Sequence, residues 1–189
     1  MKTLFVYLIV ISPVFFGNFF SNTHYPKKIS EECQGYINVK GRTNINQFEF
    51  TTQLDKQTFV RSNDETKKIF ISIPVKNFKT DKRLMYREFL SLIEAEKHPN
   101  ILLSFTAPKA SKCIQDQIVN IPVDIDMAGS RRTYKIPMLY SKCEKNQYTL
   151  FGFQPIKLTD FNLVPPQKAS GLIKVDNTLF IDFSVVFLE

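Results

Sequence analysis

The sequence predicts a mainly β protein, an antiparallel barrel of about eight strands with one α-helix, residues 81–97, near its mouth. Three observations carry that prediction. Apolar and polar residues alternate in run after run, so each strand has one face for a core and one for water. Only one stretch shows helical spacing, whereas a parallel sheet needs a helix between successive strands. Finally, 18 Phe and 7 Tyr with only 6 Gly suit a packed β core, not a disordered chain.

The chain opens on Lys2 and an almost wholly apolar run over residues 4–20. This reads as a secretory signal peptide, residues 1–20, and implies a periplasmic or secreted protein. The run nears the ~18 residues that cross a bilayer, so an uncleaved membrane anchor is the alternative. Pro13 and Gly17 interrupt it and favour cleavage. Residues 21–32 are polar and read as a flexible segment, and residues 33–189 form the barrel domain.

Within the domain, Phe48 and Phe50 share a face of the first clear strand, residues 47–54. Ile69, Ile71, Ile73 and Val75 share a face of the next. Pro74 has no N–H to give a ladder, which suggests an edge or a bulge there. Leu84, Phe89, Leu92 and Ile93, helped by Met85, form a helical stripe. Pro99 ends it, and Ile101, Leu103 and Phe105 follow on one strand face. Residues 119–127 alternate strictly, Ala128-Gly129-Ser130 signals a hairpin, and Tyr134, Ile136, Met138 and Tyr140 alternate on the return. Gly152, in the extended run 148–158, marks a close approach or a bulge. Residues 160–171 are irregular, and Leu179, Ile181, Phe183, Val185 and Phe187 close the chain.

The net charge of +7 comes from largely scattered Lys and Arg, with Lys67-Lys68 and Arg131-Arg132 among the few adjacent pairs, so nucleic acid is not an expected partner. Catalysis finds no constellation. The chain has two histidines: His24 falls in the polar segment, and His98 reads as a solvated imidazole at the helix end. The sequence holds no nucleophile elbow, phosphate loop or zinc spacing, so neither a metal nor a cofactor is expected. Tyr134 and Tyr140 are the only hydroxyls offered to the interior.

Three cysteines remain. If residues 101–107, 117–127 and 131–141 form a meander, Cys113 and Cys143 share a barrel rim and are expected to pair in an oxidising compartment. Closing that loop of about 30 residues would contribute on the order of 3–4 kcal/mol. Cys33 is then the odd one. The alternatives are three free thiols or a bridge involving Cys33.

The run from Phe89-Leu90 through Glu96-Lys97-His98-Pro99 to Phe105 resembles the FL-x-x-E-K-x-P-x-I-x-F signature of the YceI-like family. Asp81 to Met85 resembles that family's R-D-x-H-L/M stretch without its histidine. Val119 to Arg132 resembles its L-T-x-x-G-x-T-R strand and turn, and Asp160-Phe161-Asn162-Leu163 its D-F-G-I, with Asn162 in place of glycine. The usual S-x-V-x-F first strand is replaced by residues 35–46. The resemblance covers roughly residues 41–189. It implies a lipocalin-like barrel, exported to the periplasm, that holds a long isoprenoid-like or other amphiphilic chain, and it does not imply a catalytic activity.

The expectation is therefore an exported, non-enzymatic carrier of a long-chain apolar small molecule. The alternative is a filled barrel with a structural or stress-related envelope role and no ligand. A homodimer is compatible with either, and contact with a membrane is expected only through an uncleaved leader. Alternation assigns the barrel lining to Phe48, Phe50, Ile71, Ile73, Leu103, Phe105, Ile121, Val123, Ile125, Ile136, Met138, Ile181, Phe183 and Val185, with Phe89 and Leu92 on a helix lid.

Overall fold

A computed structural model describes residues 33–54, 59–62, 68–108, 116–144 and 147–188. The leader and the polar segment after it lie outside these residues. The strands are β1 Gly35–Arg42, β2 Gln47–Leu54, β3 Phe59–Ser62, β4 Lys68–Pro74, β5 Asn100–Thr106, β6 Gln117–Met127, β7 Ser130–Glu144, β8 Gln147–Lys157, β9 Gln167–Lys168, β10 Ile173–Lys174 and β11 Thr178–Leu188. Among the described residues, nine strands form one antiparallel sheet in the order β2-β1-β11-β8-β7-β6-β5-β4-β3, and β9 and β10 form a separate two-stranded flap. The sheet curls on itself in the lipocalin-like manner. Edge strand β2 is met by the segment between β4 and the helix, where the Thr51 N–H donates to the Lys79 carbonyl at 2.9 Å and Lys79 returns the bond at 2.7 Å. An edge strand left open is a template for aggregation, and this pair shortens it.

Side-chain alternation drives the curl. The buried faces of β1 (Ile37, Val39), β4 (Ile69, Ile71, Ile73), β6 (Ile121, Val123, Ile125, Met127) and β7 (Ile136, Met138, Tyr140) all point inward. Four prolines lie inside strands, and each has a ladder partner on one side only: Pro74 with Asn100, Pro122 with Lys135, Pro137 with Asn120 and Pro155 with Phe180. The missing N–H is thereby accommodated. Pro74 ends β4 at such a local edge.

The β6–β7 hairpin turns on Ala128 and Gly129, with φ of 51° and 72°. Two left-handed residues match the twist of the flanking strands, and Gly adopts that geometry freely. The turn also abuts His98. A Cβ on Gly129 would fall 2.8 Å from the His98 ring, so this half-buried imidazole packs against the hairpin and is not simply solvated. Gly152 is the close approach that the sequence marks. Its register partner Phe183 lays its ring over it, where a Cβ would sit 2.2 Å from the ring.

The helix is shorter than its pattern suggests. Helix α1 spans Arg83–Leu92, and Glu94 then turns left-handed at φ 49°. Residues 93–97 continue as turns, with Ala95 donating to Leu90 and His98 to Glu94. The Lys97 ammonium, 2.7 Å from Glu94, lowers the pKa of that carboxyl by hydrogen bonding and charge. The inward stripe is Met85, Phe89, Leu92 and Ile93, whereas Leu84 faces water because it stands five residues from Phe89.

The expected Cys113–Cys143 bridge is corrected. Cys143 pairs with Cys33, with Cα atoms 5.8 Å apart, and Cys113 lies outside the described residues. The meander does put Cys143 at the rim where β6 begins. However, β1 begins at this end too, with Gly35 opposite Leu54 and Tyr36 opposite Ser184. Strands β11 and β8 separate β1 from β7, so the bridge straps across two staves. The Thr149 hydroxyl donates to the Cys143 sulfur at 3.2 Å.

Candidate functional site

Inward faces of seven strands enclose a main chamber of about 90 Å³. Its wall comprises Ile37 and Val39 of β1, Ile73 of β4, Ile101, Leu103 and Phe105 of β5, and Val123, Ile125 and Met127 of β6. It continues through Ile136 and Met138 of β7, Gln154 and Ile156 of β8, and Leu179, Ile181, Phe183 and Val185 of β11, with Phe78 and Phe89 completing it. Among the described residues, no ionisable side chain borders this space.

A second chamber, also of about 90 Å³, lies between α1, the flap and β1–β2. Val39, Phe48, Phe50, Met85, Phe89, Leu92, Leu158, Ile173, Val175 and Leu179 form its apolar wall, joined by Thr43, Glu88, Pro166 and Lys168. Val39, Phe89 and Leu179 border both chambers. Phe89 is the partition carried by the helix. Its ring stacks on Phe50 at 4.5 Å and meets Phe78 edge-on at 5.5 Å. Each aromatic pair contributes roughly 0.5–1.5 kcal/mol beyond its buried area. The helix is tied to the flap by Glu88 and Lys168, 2.8 Å apart. That pair is partly exposed and contributes at most about 1 kcal/mol.

Of the residues that alternation assigns to the lining, ten border the main chamber: Ile73, Leu103, Phe105, Val123, Ile125, Ile136, Met138, Ile181, Phe183 and Val185. Phe48, Phe50 and Leu92 border the second chamber, and Phe89 borders both. Ile71 and Ile121 are buried in the core but touch neither chamber. Sequence reasoning missed Ile37, Val39, Phe78, Ile101, Met127, Gln154, Ile156 and Leu179 in the main wall. Ile37 and Val39 carried a signal, since they alternate from Gly35 to Gly41. The flap residues Ile173 and Val175 had none, because strands of two residues leave no periodicity.

The two tyrosines named for the interior pack in or against the core but away from both chambers. The Tyr134 hydroxyl donates to Asp160 Oδ2 at 2.7 Å, and its ring stacks on Phe161. Burial first, then the hydrogen bond to Asp160, push this phenol far above its usual pKa. Tyr140 stacks on Tyr148 at 5.3 Å, and Phe187 completes an aromatic cluster at the disulfide end. Neither tyrosine borders a chamber. Among the described residues, no three His, Cys, Asp or Glu side chains gather as a metal site.

A curled antiparallel sheet around an apolar interior, capped by one helix, defines a lipocalin-like barrel. The YceI-like domain pattern matches residues 20–187, and the chain belongs to the YceI-like family. Its fold is similar to that of a polyisoprenoid-binding domain from Saccharophagus degradans implicated in plant cell wall breakdown (TM-score 0.60, 10% identity, 82% of this chain and 93% of that one). It is also similar to Burkholderia cenocepacia BcnA (TM-score 0.61, 15% identity, 81% and 96%). A Campylobacter jejuni YceI protein aligns with a TM-score of 0.52 at 15% identity over 69% and 80%. At these identities the likeness is one of fold. No curated protein matches the chain in sequence.

Proposed function

We propose that the chain is an exported, non-catalytic protein that binds a long apolar chain, of isoprenoid or fatty type, in the barrel interior. One observation carries the reading. Two apolar chambers adjoin across Val39, Phe89 and Leu179, and of these three Phe89 is the one carried by the helix. The polyisoprenoid-binding relative supports the same ligand class, and the Lys2 and apolar-leader pattern supports export to the periplasm. The assigned lining residues are the proposed contacts.

A second reading is favoured by the chamber sizes. About 90 Å³ each is well below the roughly 300–1,000 Å³ of pockets that enclose a ligand, so the closed barrel is nearly filled. On that reading the protein is a structural or stress-related envelope component with no ligand.

Ile136→Phe separates the two. In a barrel that opens for ligand, the larger side chain weakens uptake of a fluorescent fatty or isoprenoid probe with little change in stability. In a filled barrel, overpacking lowers stability by about 1–3 kcal/mol. Neither the parent nor the variant then binds probe, an outcome that refutes the carrier reading. Mass spectrometry of apolar extracts from natively purified protein identifies the ligand.

A further inference from the structure

The large apolar side chains left in water are not spread evenly. Among the described residues the four most exposed are Val164 at 79%, Leu172 at 75%, Ile45 at 66% and Leu84 at 62%. All four belong to the helix end of the barrel, around the second chamber. Ile45 tips the β1–β2 turn, Leu172 tips the flap, Leu84 lies in the first turn of α1, and Val164 leads into the flap. The three tips are laced together. Asn44 donates from its side chain to the Leu172 carbonyl at 2.8 Å and from its backbone to Lys174 at 3.1 Å. Lys82 Nζ donates to the Gln47 carbonyl at 2.7 Å, which joins the helix start to β2. The side chains thus stand on a fixed rim and not on independent loops.

Charge points to what the rim meets. Segments 42–47, 81–88 and 164–176 carry six cations (Arg42, Lys82, Arg83, Arg87, Lys168 and Lys174) against three carboxylates. Two of the carboxylates are already engaged, Glu88 with Lys168 and Asp176 with Arg42. Exposed apolar tips within a net cationic ring are the composition of a surface that enters an anionic lipid interface. A globular protein otherwise keeps such side chains dispersed.

We propose that this rim docks the protein onto an anionic bilayer surface, with Ile45, Leu84, Val164 and Leu172 entering the acyl boundary. Docking there sets the second chamber, through which Phe89 borders the interior, against the membrane. The inference goes beyond the carrier reading and stands without it, since a filled barrel would dock in the same way.

The chain contains no tryptophan, so one introduced reporter is read alone. Leu172→Trp places it on the rim. Ile118→Trp places it on exposed β6 at the opposite end. Both are made in the full chain and mixed with vesicles of brominated phosphatidylcholine containing phosphatidylglycerol as the minority lipid. The reporter at 172 is expected to shift to the blue and be quenched, less so without phosphatidylglycerol, while that at 118 is not. A Lys174→Ala change in the rim variant is expected to weaken partitioning about 5-fold at low salt. No change at 172, or a change at 118 as large as or larger than that at 172, overturns the proposal. The latter is what attachment through the apolar leader gives, because the leader joins the barrel at Cys33, at the end where Ile118 lies. A blue shift at 172 that follows protein concentration without vesicles assigns the rim to a second copy of the chain and likewise overturns it. Uptake of the fluorescent probe in solution is read separately and tests only the carrier function.

Discussion

At one end of the barrel a disulfide straps β1 to β7, and Tyr140, Tyr148 and Phe187 pack into an aromatic cluster beside it. At the other end the cover is a ten-residue helix with no fully buried side chain and no side-chain cap on its first turn. It leans on Phe50 and Phe78 through Phe89 and on the flap through one partly exposed ion pair. The difference makes the helix end the place where the proposed ligand would enter. Regions with few buried contacts unfold locally at small cost, while covalently fastened and densely packed ones follow the whole molecule. Permanence and access are divided between the two ends.

The largest expected effect is at the strapped end. Replacing Cys33 and Cys143 with serine releases a connection spanning 110 residues. Unfolding in urea should show a loss of about 4–5 kcal/mol, chiefly through a freer unfolded chain. Probe uptake by the protein that remains folded should be unchanged, and Cys113→Ser should be silent. If the double variant loses uptake in step with stability, the ends are not independent and the comparison fails.

Phe89→Ala comes next. The side chain is only partly buried, so the cost should be about 2–3 kcal/mol, below the usual loss for a fully buried Phe. Stopped-flow mixing should show faster probe entry, because the two chambers merge. Slower or unchanged entry would locate the opening elsewhere.

Smaller still is Lys168→Ala, expected to lower stability by less than about 1 kcal/mol. It should speed probe entry modestly by freeing the flap from Glu88, an effect that high salt in the parent protein should imitate.

The last effect concerns Tyr134 and is read in the pH dependence of stability. Its phenol holds its proton more tightly in the folded chain than the usual value of about 10 in the unfolded chain. The stability this supplies is complete below that value. It falls as pH rises past it, because only the unfolded form ionises. Tyr134→Phe should therefore flatten the alkaline limb of a stability–pH curve and leave the acid limb unchanged. An unchanged alkaline slope would show that burial and the bond to Asp160 do not raise the Tyr134 pKa in the folded chain.

The sequence by itself determined the class of fold, the hairpin at Ala128-Gly129, the close approach at Gly152 and most of the barrel wall. Period-2 alternation is a local property: once β6 and β7 are read, Val123, Ile125, Ile136 and Met138 can only face inward together. The same locality explains what it missed. Helix α1 stops at Leu92 because Glu94 turns left-handed, and nothing in the apolar stripe records that. Cys143 takes Cys33 because β1 begins beside β11 at the same end, a pairing fixed by strand order over 110 residues. The flap wall and the role of Phe89 as a partition likewise exist only when distant segments meet. Tertiary structure decided these points because which surfaces oppose one another depends on the closed sheet as a whole, whereas which face of a strand is apolar does not.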